Sequence, residues 1–285
     1  ARQQAELQGT EDQAAFERAL ARFGARDPAV DALVERARVL YNGDGVPRDL
    51  AAAAALYRRA AEAGHPHAAA MLGYQLETGQ GVAVDLAEST RWYRAAAEQD
   101  HVIGMHNYGF ALREGRGAAQ DLAQAAEWFR RSADGGYAPA MVKLGRLHSD
   151  GRGVRQDHGL ALSYFRDAAD RGDAPGQNEV GWAHQHGLGV EQDHVEALAW
   201  YRKAADQGLA VAQNNVGWML RNGVGTRADP AEARRWFARA AEQGHAYGSY
   251  NLAQMAEAGE GAAPAPPAAA EHDRRSARDC RDAAR

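Results

Sequence analysis

The sequence holds one cysteine in 285 residues, Cys280 near its end, which excludes an intrachain disulfide framework and says nothing of compartment. Prolines number only nine, runs of Val and Ile are missing and alanine is abundant, so the chain reads as all-helical. No stretch approaches about 18 consecutive apolar residues, and no membrane insertion is expected. The 33 Lys and Arg residues gather in no one segment, and against 38 Asp and Glu they leave a net charge of −5; nucleic acid is not an expected partner. The chain begins at Ala1 without methionine or a visible signal peptide, which fits a mature exported protein as well as a trimmed chain; bacterial periplasm or secretion is expected ahead of cytoplasm.

Glycine, by contrast, is plentiful, and its spacing does not drift. Gly43/Gly45, Gly79/Gly81, Gly115/Gly117, Gly151/Gly153, Gly187/Gly189, Gly223/Gly225 and Gly259/Gly261 follow one another at an interval of 36 residues. An unbroken period of that length means one supersecondary unit stacked on itself. The expected architecture is a solenoid, and function is sought on a surface rather than in a pocket.

Within a repeat, the first helix should end at the first glycine of Gly-x-Gly, where a left-handed residue satisfies the last carbonyls. An Asp then recurs at Asp49, Asp85, Asp121, Asp157, Asp193 and Asp229 as the N-cap of the second helix. Glu88, Gln124, Glu196 and Glu232 stand three residues later, which is a capping box. The second helix carries a large aromatic pair followed by two small residues, as in Trp200-Tyr201 and Ala204-Ala205, and closes at Gly64, Gly136, Gly172, Gly208 and Gly244. Asp100 takes the closing place once and tolerates left-handed geometry. Gly73, Gly109, Gly145, Gly181 and Gly217 sit inside the first helix, each at a cost of about 1 kcal/mol relative to Ala. Such a repeated cost predicts close helix–helix approach at that register.

The run Ala212, Val216-Gly217, Gly223, Gly225, Asp229, Ala233, Trp236-Phe237, Ala240-Ala241, Gly244 resembles the Sel-one-like repeat (SLR) family, a tetratricopeptide-like branch of α/α solenoids. The resemblance implies an all-α, right-handed α/α superhelical solenoid of 36-residue helix–turn–helix repeats. Three segments follow: a capping helix in 1–27, with Thr10 and Gln13 as its cap and Phe16, Leu20 and Phe23 on one face; the solenoid over 28–258, six helix pairs and a final helix; and an Ala/Pro linker with a charged tail over 259–285. Arg36 and Leu56 depart from the pattern at the first repeat, as end-capping requires.

The resemblance also implies protein–protein recognition without catalysis, in bacterial signalling, regulation or secretion, with the first helices lining a concave face. One stripe of those helices carries Tyr74, Phe110, Arg146, Trp182, Trp218 and Gln254; one turn earlier lie Asn178, Asn214 and Tyr250, and one turn later Arg113 and Arg221. Tyr74, Phe110, Trp182, Trp218 and Tyr250 are candidate anchors for a protein or peptide, and Arg113, Asn178, Asn214 and Arg221 candidate polar contacts. The aromatics could equally pack between neighbouring repeats. His148/His184 and His158/His194 lie one repeat apart, but no Cys or tight carboxylate cluster completes a site, so neither metal nor cofactor is expected. No nucleophile–base pair or phosphate loop appears. An immunity protein neutralising a secreted toxin is the alternative. A β-lactam-binding hydrolase is a remote one, since the cysteine pairs of the SLR proteins with that activity are missing. Terminal helices or the Cys280 tail could make oligomers, and spacing does not decide the oligomeric state.

Overall fold

The computed structural model describes residues 27–261, which fall into two compact units, one up to Gln156 and one from Asp157 onward. The expected helix around Thr10 to Gly24, most of the Ala/Pro linker and the Cys280 tail lie outside the described residues. The first unit contains α1 (Pro28–Asn42), α2 (Leu50–Glu62), α3 (Pro66–Thr78), α4 (Leu86–Ala97), α5 (Val102–Glu114), α6 (Leu122–Asp134) and α7 (Ala138–Asp150). The second contains α8 (His158–Asp170), α9 (Ala174–His186), α10 (His194–Asp206), α11 (Ala210–Asn222), α12 (Pro230–Glu242) and α13 (Ala246–Glu257). Among the described residues there is no strand. Each helix packs on the next within its unit, so the fold is an all-α array of stacked helix pairs with a period of about 36 residues.

The boundaries follow from local chemistry. Asp49, Asp85, Asp121, Asp157, Asp193 and Asp229 each accept a backbone N–H from the first turn of the following helix, at 2.8–3.0 Å. The reciprocal half of the capping box is absent at Glu88 and Glu232. The backbone N–H groups of Asp85 and Asp229 already donate to Leu76 and Leu220 of the preceding helix, at 3.0 and 2.9 Å. Those glutamates instead accept the indole N–H of Trp92 and Trp236, at 3.1 Å each, and pair with Arg58 and Arg202 of the preceding even helix. Asp100 takes φ 57°, the one non-glycine residue with positive φ among those described, and its carboxylate accepts from Arg131 at 2.7 Å.

Packing explains the glycine inside the odd helices. A Cβ built on Gly73, Gly181 or Gly217 would stand 2.7–2.8 Å from the ring of Tyr93, Tyr201 or Phe237 on the next helix. That ring is the second of each aromatic pair, and Tyr57, Tyr93, Phe129, Phe165, Tyr201 and Phe237 are all buried. The first of the pair lies further out, and a cation covers it: Arg131 over Trp128 at 4.4 Å, Lys203 over Trp200 at 3.6 Å, Arg239 over Trp236 at 4.6 Å. The small pair does what its size suggests. Ala96, Ala168 and Ala240 would lie 2.5–2.8 Å from a Cβ on Gly104, Gly176 and Gly248 of the following helix.

The second glycine of Gly-x-Gly has a role its sequence position conceals. At Gly81, Gly117, Gly189 and Gly225 a Cβ would strike the carbonyl of Leu50, Leu86, His158 or His194, the first residue of the preceding even helix, at 1.9–2.3 Å. Gly45, in the first repeat, meets nothing within 4 Å among the described residues. The motif therefore ends one helix and seats the next repeat on the last.

Candidate functional site

The odd helices expose one stripe, and its position follows from the packing just described. The glycine register faces the even helix; the next residue points about 100° away from it. Five aromatic side chains are exposed among the described residues, Tyr74, Trp182, Trp218, Tyr247 and Tyr250, and four of them belong to the candidate set. Aromatic packing between helices is carried mainly by the buried rings of the even helices, joined on α5 by Tyr108 against Trp128.

In the first unit the stripe is basic. Phe110 is half-buried, with the guanidinium groups of Arg113 and Arg116 5.1 and 6.0 Å from its ring centre and the Lys143 ammonium at 5.9 Å. Arg113 pairs with Glu114 at 2.6 Å, and Arg116 with Glu77 at 2.7 Å. One turn before Phe110, His106 lies against Phe129 and Tyr137, with ring centres 5.5 and 5.2 Å away. Burial, followed by the positive charges of Lys143 and Arg113, pushes the imidazole down to about 4, so it is neutral at ordinary pH. Tyr74 is exposed on α3.

In the second unit the stripe is aromatic, and its Arg221 is held in an ion pair. Trp182 on α9 and Trp218 on α11 are 46% and 41% exposed. Trp182 lies tilted against His186, ring centres 3.8 Å apart, and burial followed by the neighbouring His194 holds the His186 imidazole below its usual range. Asn178 and Asn214, one turn earlier, accept from the side-chain amides of Asn215 and Asn251, at 3.1 and 2.9 Å, and so form a ladder between repeats. Arg221 is bound bidentately by Glu260 at 2.7 and 3.2 Å, and the ion pair holds the Glu260 carboxyl below its usual range. The Tyr250 hydroxyl accepts from Gln254 at 3.1 Å.

Each unit thus brings its own candidates to one face: Tyr74, Phe110 and Arg113 in the first, and Asn178, Trp182, Asn214, Trp218, Arg221 and Tyr250 in the second. Reading the sequence alone missed the partners that already engage the asparagines and Arg221. The visible signal was Asn215 and Asn251 following Asn178 and Asn214 by 37 residues. Reading the sequence also missed a use for histidine. Nδ1 of His65, His101 and His245 accepts the N–H of Ala68, Gly104 and Gly248, at 3.1–3.3 Å, and so caps α3, α5 and α13. Among the described residues no group of three His, Cys, Asp or Glu side chains is arranged to hold a metal ion, and no helix is long and apolar enough to cross a membrane.

A family model for the Sel1 repeat matches six consecutive segments, 30–65, 66–101, 102–137, 138–173, 174–209 and 210–245. The chain belongs to the Sel1 repeat family. Proteins built from Sel1 repeats generally mediate protein–protein interaction and are generally non-catalytic. Among solved structures, c5321 of uropathogenic Escherichia coli, a protective antigen with an SLR fold, is 35% identical over 79% of this chain, with a TM-score of 0.67. The match spans 48% of that protein's length. A Sel1 repeat protein from Oxalobacter formigenes is 24% identical, with a TM-score of 0.74, over 84% of this chain and 94% of the other. The immunity protein Pa5087 of Pseudomonas aeruginosa shares the fold at 22% identity and a TM-score of 0.50, over 79% of this chain and 85% of the other. No curated protein matches the chain.

Proposed function

We propose that this Sel1-repeat protein is a non-catalytic scaffold that binds a protein or peptide partner through the exposed stripe of its odd helices. The observation that carries the reading is the concentration of exposed aromatics at this helix position: of the five among the described residues, Tyr74 stands there in the first unit and Trp182, Trp218 and Tyr250 in the second. Exposed Trp and Tyr beside Arg are the side chains that dominate interface energetics once a partner desolvates them. In the first unit Tyr74 and Phe110 are the anchors, with Arg113 as a charged contact. In the second, Trp182, Trp218 and Tyr250 are the anchors, with Asn178, Asn214 and Arg221 as polar contacts.

The test is to replace Trp182 and Trp218 by Ala and measure both the melting temperature and capture of the partner. The reading expects a melting temperature within a few degrees of the parent and loss of capture. Unfolding without selective loss of binding would return both rings to a packing role. If the captured partner is a toxin whose activity the chain abolishes, the scaffold reading gives way to the inhibitor one.

A further inference from the structure

The last odd helix, α13, has no even helix on it among the described residues. On α11, Gln213, Gly217 and Leu220 form the face that meets α12, and all three are buried; a Cβ on Gly217 would stand 2.8 Å from the Phe237 ring. On α13 the same register holds Ser249, Ala253 and Ala256, and all three are exposed. Leu252, beside them, is half-buried, whereas Val216 at its register on α11 is fully covered. Alanine at the glycine place does not bar a covering helix, because Ala37 holds it on α1 and is fully buried in the core formed with α2. This face is not the stripe described above; it looks toward the place of an even helix.

The chain leaves α13 by the route that elsewhere leads into an even helix. Gly259 and Gly261 take φ 67° and 68°, and Glu260 between them is held by Arg221. A Cβ on Gly261 would stand 2.4 Å from the Pro230 carbonyl, as one on Gly225 would stand 2.2 Å from that of His194. From Gly225 the chain enters α12 at Pro230, and the same count from Gly261 reaches Pro266. The sequence beyond keeps the small residues of an even helix. Ala269, Ala270, Ser276 and Ala277 repeat, at the same spacing, Ala125, Ala126, Ser132 and Ala133, which α6 buries. Pro267 suits a first turn, where a missing N–H costs no hydrogen bond. Asp273 stands where α6 has Phe129, and a carboxylate there keeps the segment at the outside of the array, since burying it without a partner is costly. Glu271 precedes Arg274 and Arg275 by three and four residues, which suits the exposed side of a helix. We infer that residues 267–278 of this chain dock as a helix on the Ser249, Ala253 and Ala256 face of α13, closing that end of the array with a charged outer surface. A stacked array needs such a closing layer, because an open end otherwise offers its face to another copy.

The test places a nitroxide on Cys280, the sequence's one cysteine, in the ¹⁵N-labelled full chain. A helix that turns back through a short loop runs antiparallel to the one before it, and about 20 Å of helix separates Pro267 from Cys280. Docking therefore carries the nitroxide back to the start of α13. Loss of amide signal should be greater at Ala246 and Gly248 than at Ala256 and Glu257, whereas a loose tail tethered at Gly261 would weaken the second pair more. Ala253→Trp puts an indole on the face and should reverse the order; Ala253→Gly should keep it. Should Ala253→Trp fail to fold, Ser249→Lys blocks the same face and should give the same reversal. Greatest loss beside Gly261 in the parent chain, or an order that survives a folded blocking variant, would overturn the inference. So would loss at Ala246 in ¹⁵N chains without nitroxide when they are mixed with nitroxide-bearing ¹⁴N chains, which would give the face to a second copy.

Discussion

The two units use the same helix register for different surface chemistry. On the stripe of the first, three cations gather within 6.0 Å of the Phe110 ring, and two of them, Lys143 and Arg113, help keep His106 neutral. On the stripe of the second, indoles take the place of Phe110 and asparagines that of His106, while Arg221, at the register of Arg113, is paired with Glu260. The loop pair joining neighbouring repeats shows the same freedom: Glu77 with Arg116 in the first unit becomes Arg221 with Glu260 in the second, polarity reversed at the same two register positions. The buried half of the repeat shows no such latitude. Its glycine, its ring and its small pair recur because each fills a space that its neighbour leaves. The difference shows that register and chemistry are separable here: packing sets where a side chain stands, and the stripe is left to vary with whatever it meets.

The sharpest way to break the comparison is to attack what the units share. Gly117→Ala in the first unit and Gly189→Ala in the second drive a methyl to 1.9 and 2.3 Å from a backbone carbonyl, at φ 70° and 72°. Each should cost on the order of 3 kcal/mol or more in denaturant unfolding. Among the described residues Gly45→Ala has only its left-handed φ to contend with, at about 1 kcal/mol; if it proves as damaging as the other two in a chain beginning at Asp27, the second glycine does not seat one repeat on another.

A somewhat smaller effect separates the units by pH. The His106 imidazole is pushed from 6.5 down to about 4, so between those values the unfolded chain binds a proton that the folded chain refuses. Its contribution is intact above pH 6.5 and declines as pH falls toward 4, by up to about 3 kcal/mol. His106→Gln should flatten the stability–pH profile over that range, and an unchanged slope would show that the acid sensitivity lies elsewhere.

The smallest expected effect concerns the reversed ion pair. Arg221→Glu or Glu260→Arg alone should cost about 0.5–1 kcal/mol, and the double exchange should recover most of it, since the pair is partly exposed and its polarity is arbitrary. A double variant as weak as the singles would mean the orientation is specified by its surroundings.

Much of the fold was legible because its causes are local. The Asp caps act on N–H groups two or three residues away, and the left-handed glycines act on their own helix ends. Asp100 could be read as left-handed from its place in the period. What was not legible depends on neighbours 30 to 40 residues distant. Glu88 looks like half of a capping box, yet it serves Trp92 and Arg58 because Leu76 has already taken the cap's N–H. Arg221 and the two asparagines looked free for a partner, yet Glu260, Asn215 and Asn251 claim part of each. Trp182 and Tyr201 are both large aromatics at helical spacing, and composition does not say that one stays in water while the other is buried.

From residues alone came the helices, their period, their ends and the faces they bury, because repeated short-range rules leave few alternatives. The stacked structure decided which aromatics face solvent, which amides keep a donor to offer, and which glycine carries the weight of the next repeat. Those outcomes depend on surfaces brought together from different repeats, and each is the result of competition for a space or a hydrogen bond that exists only once the helices have docked.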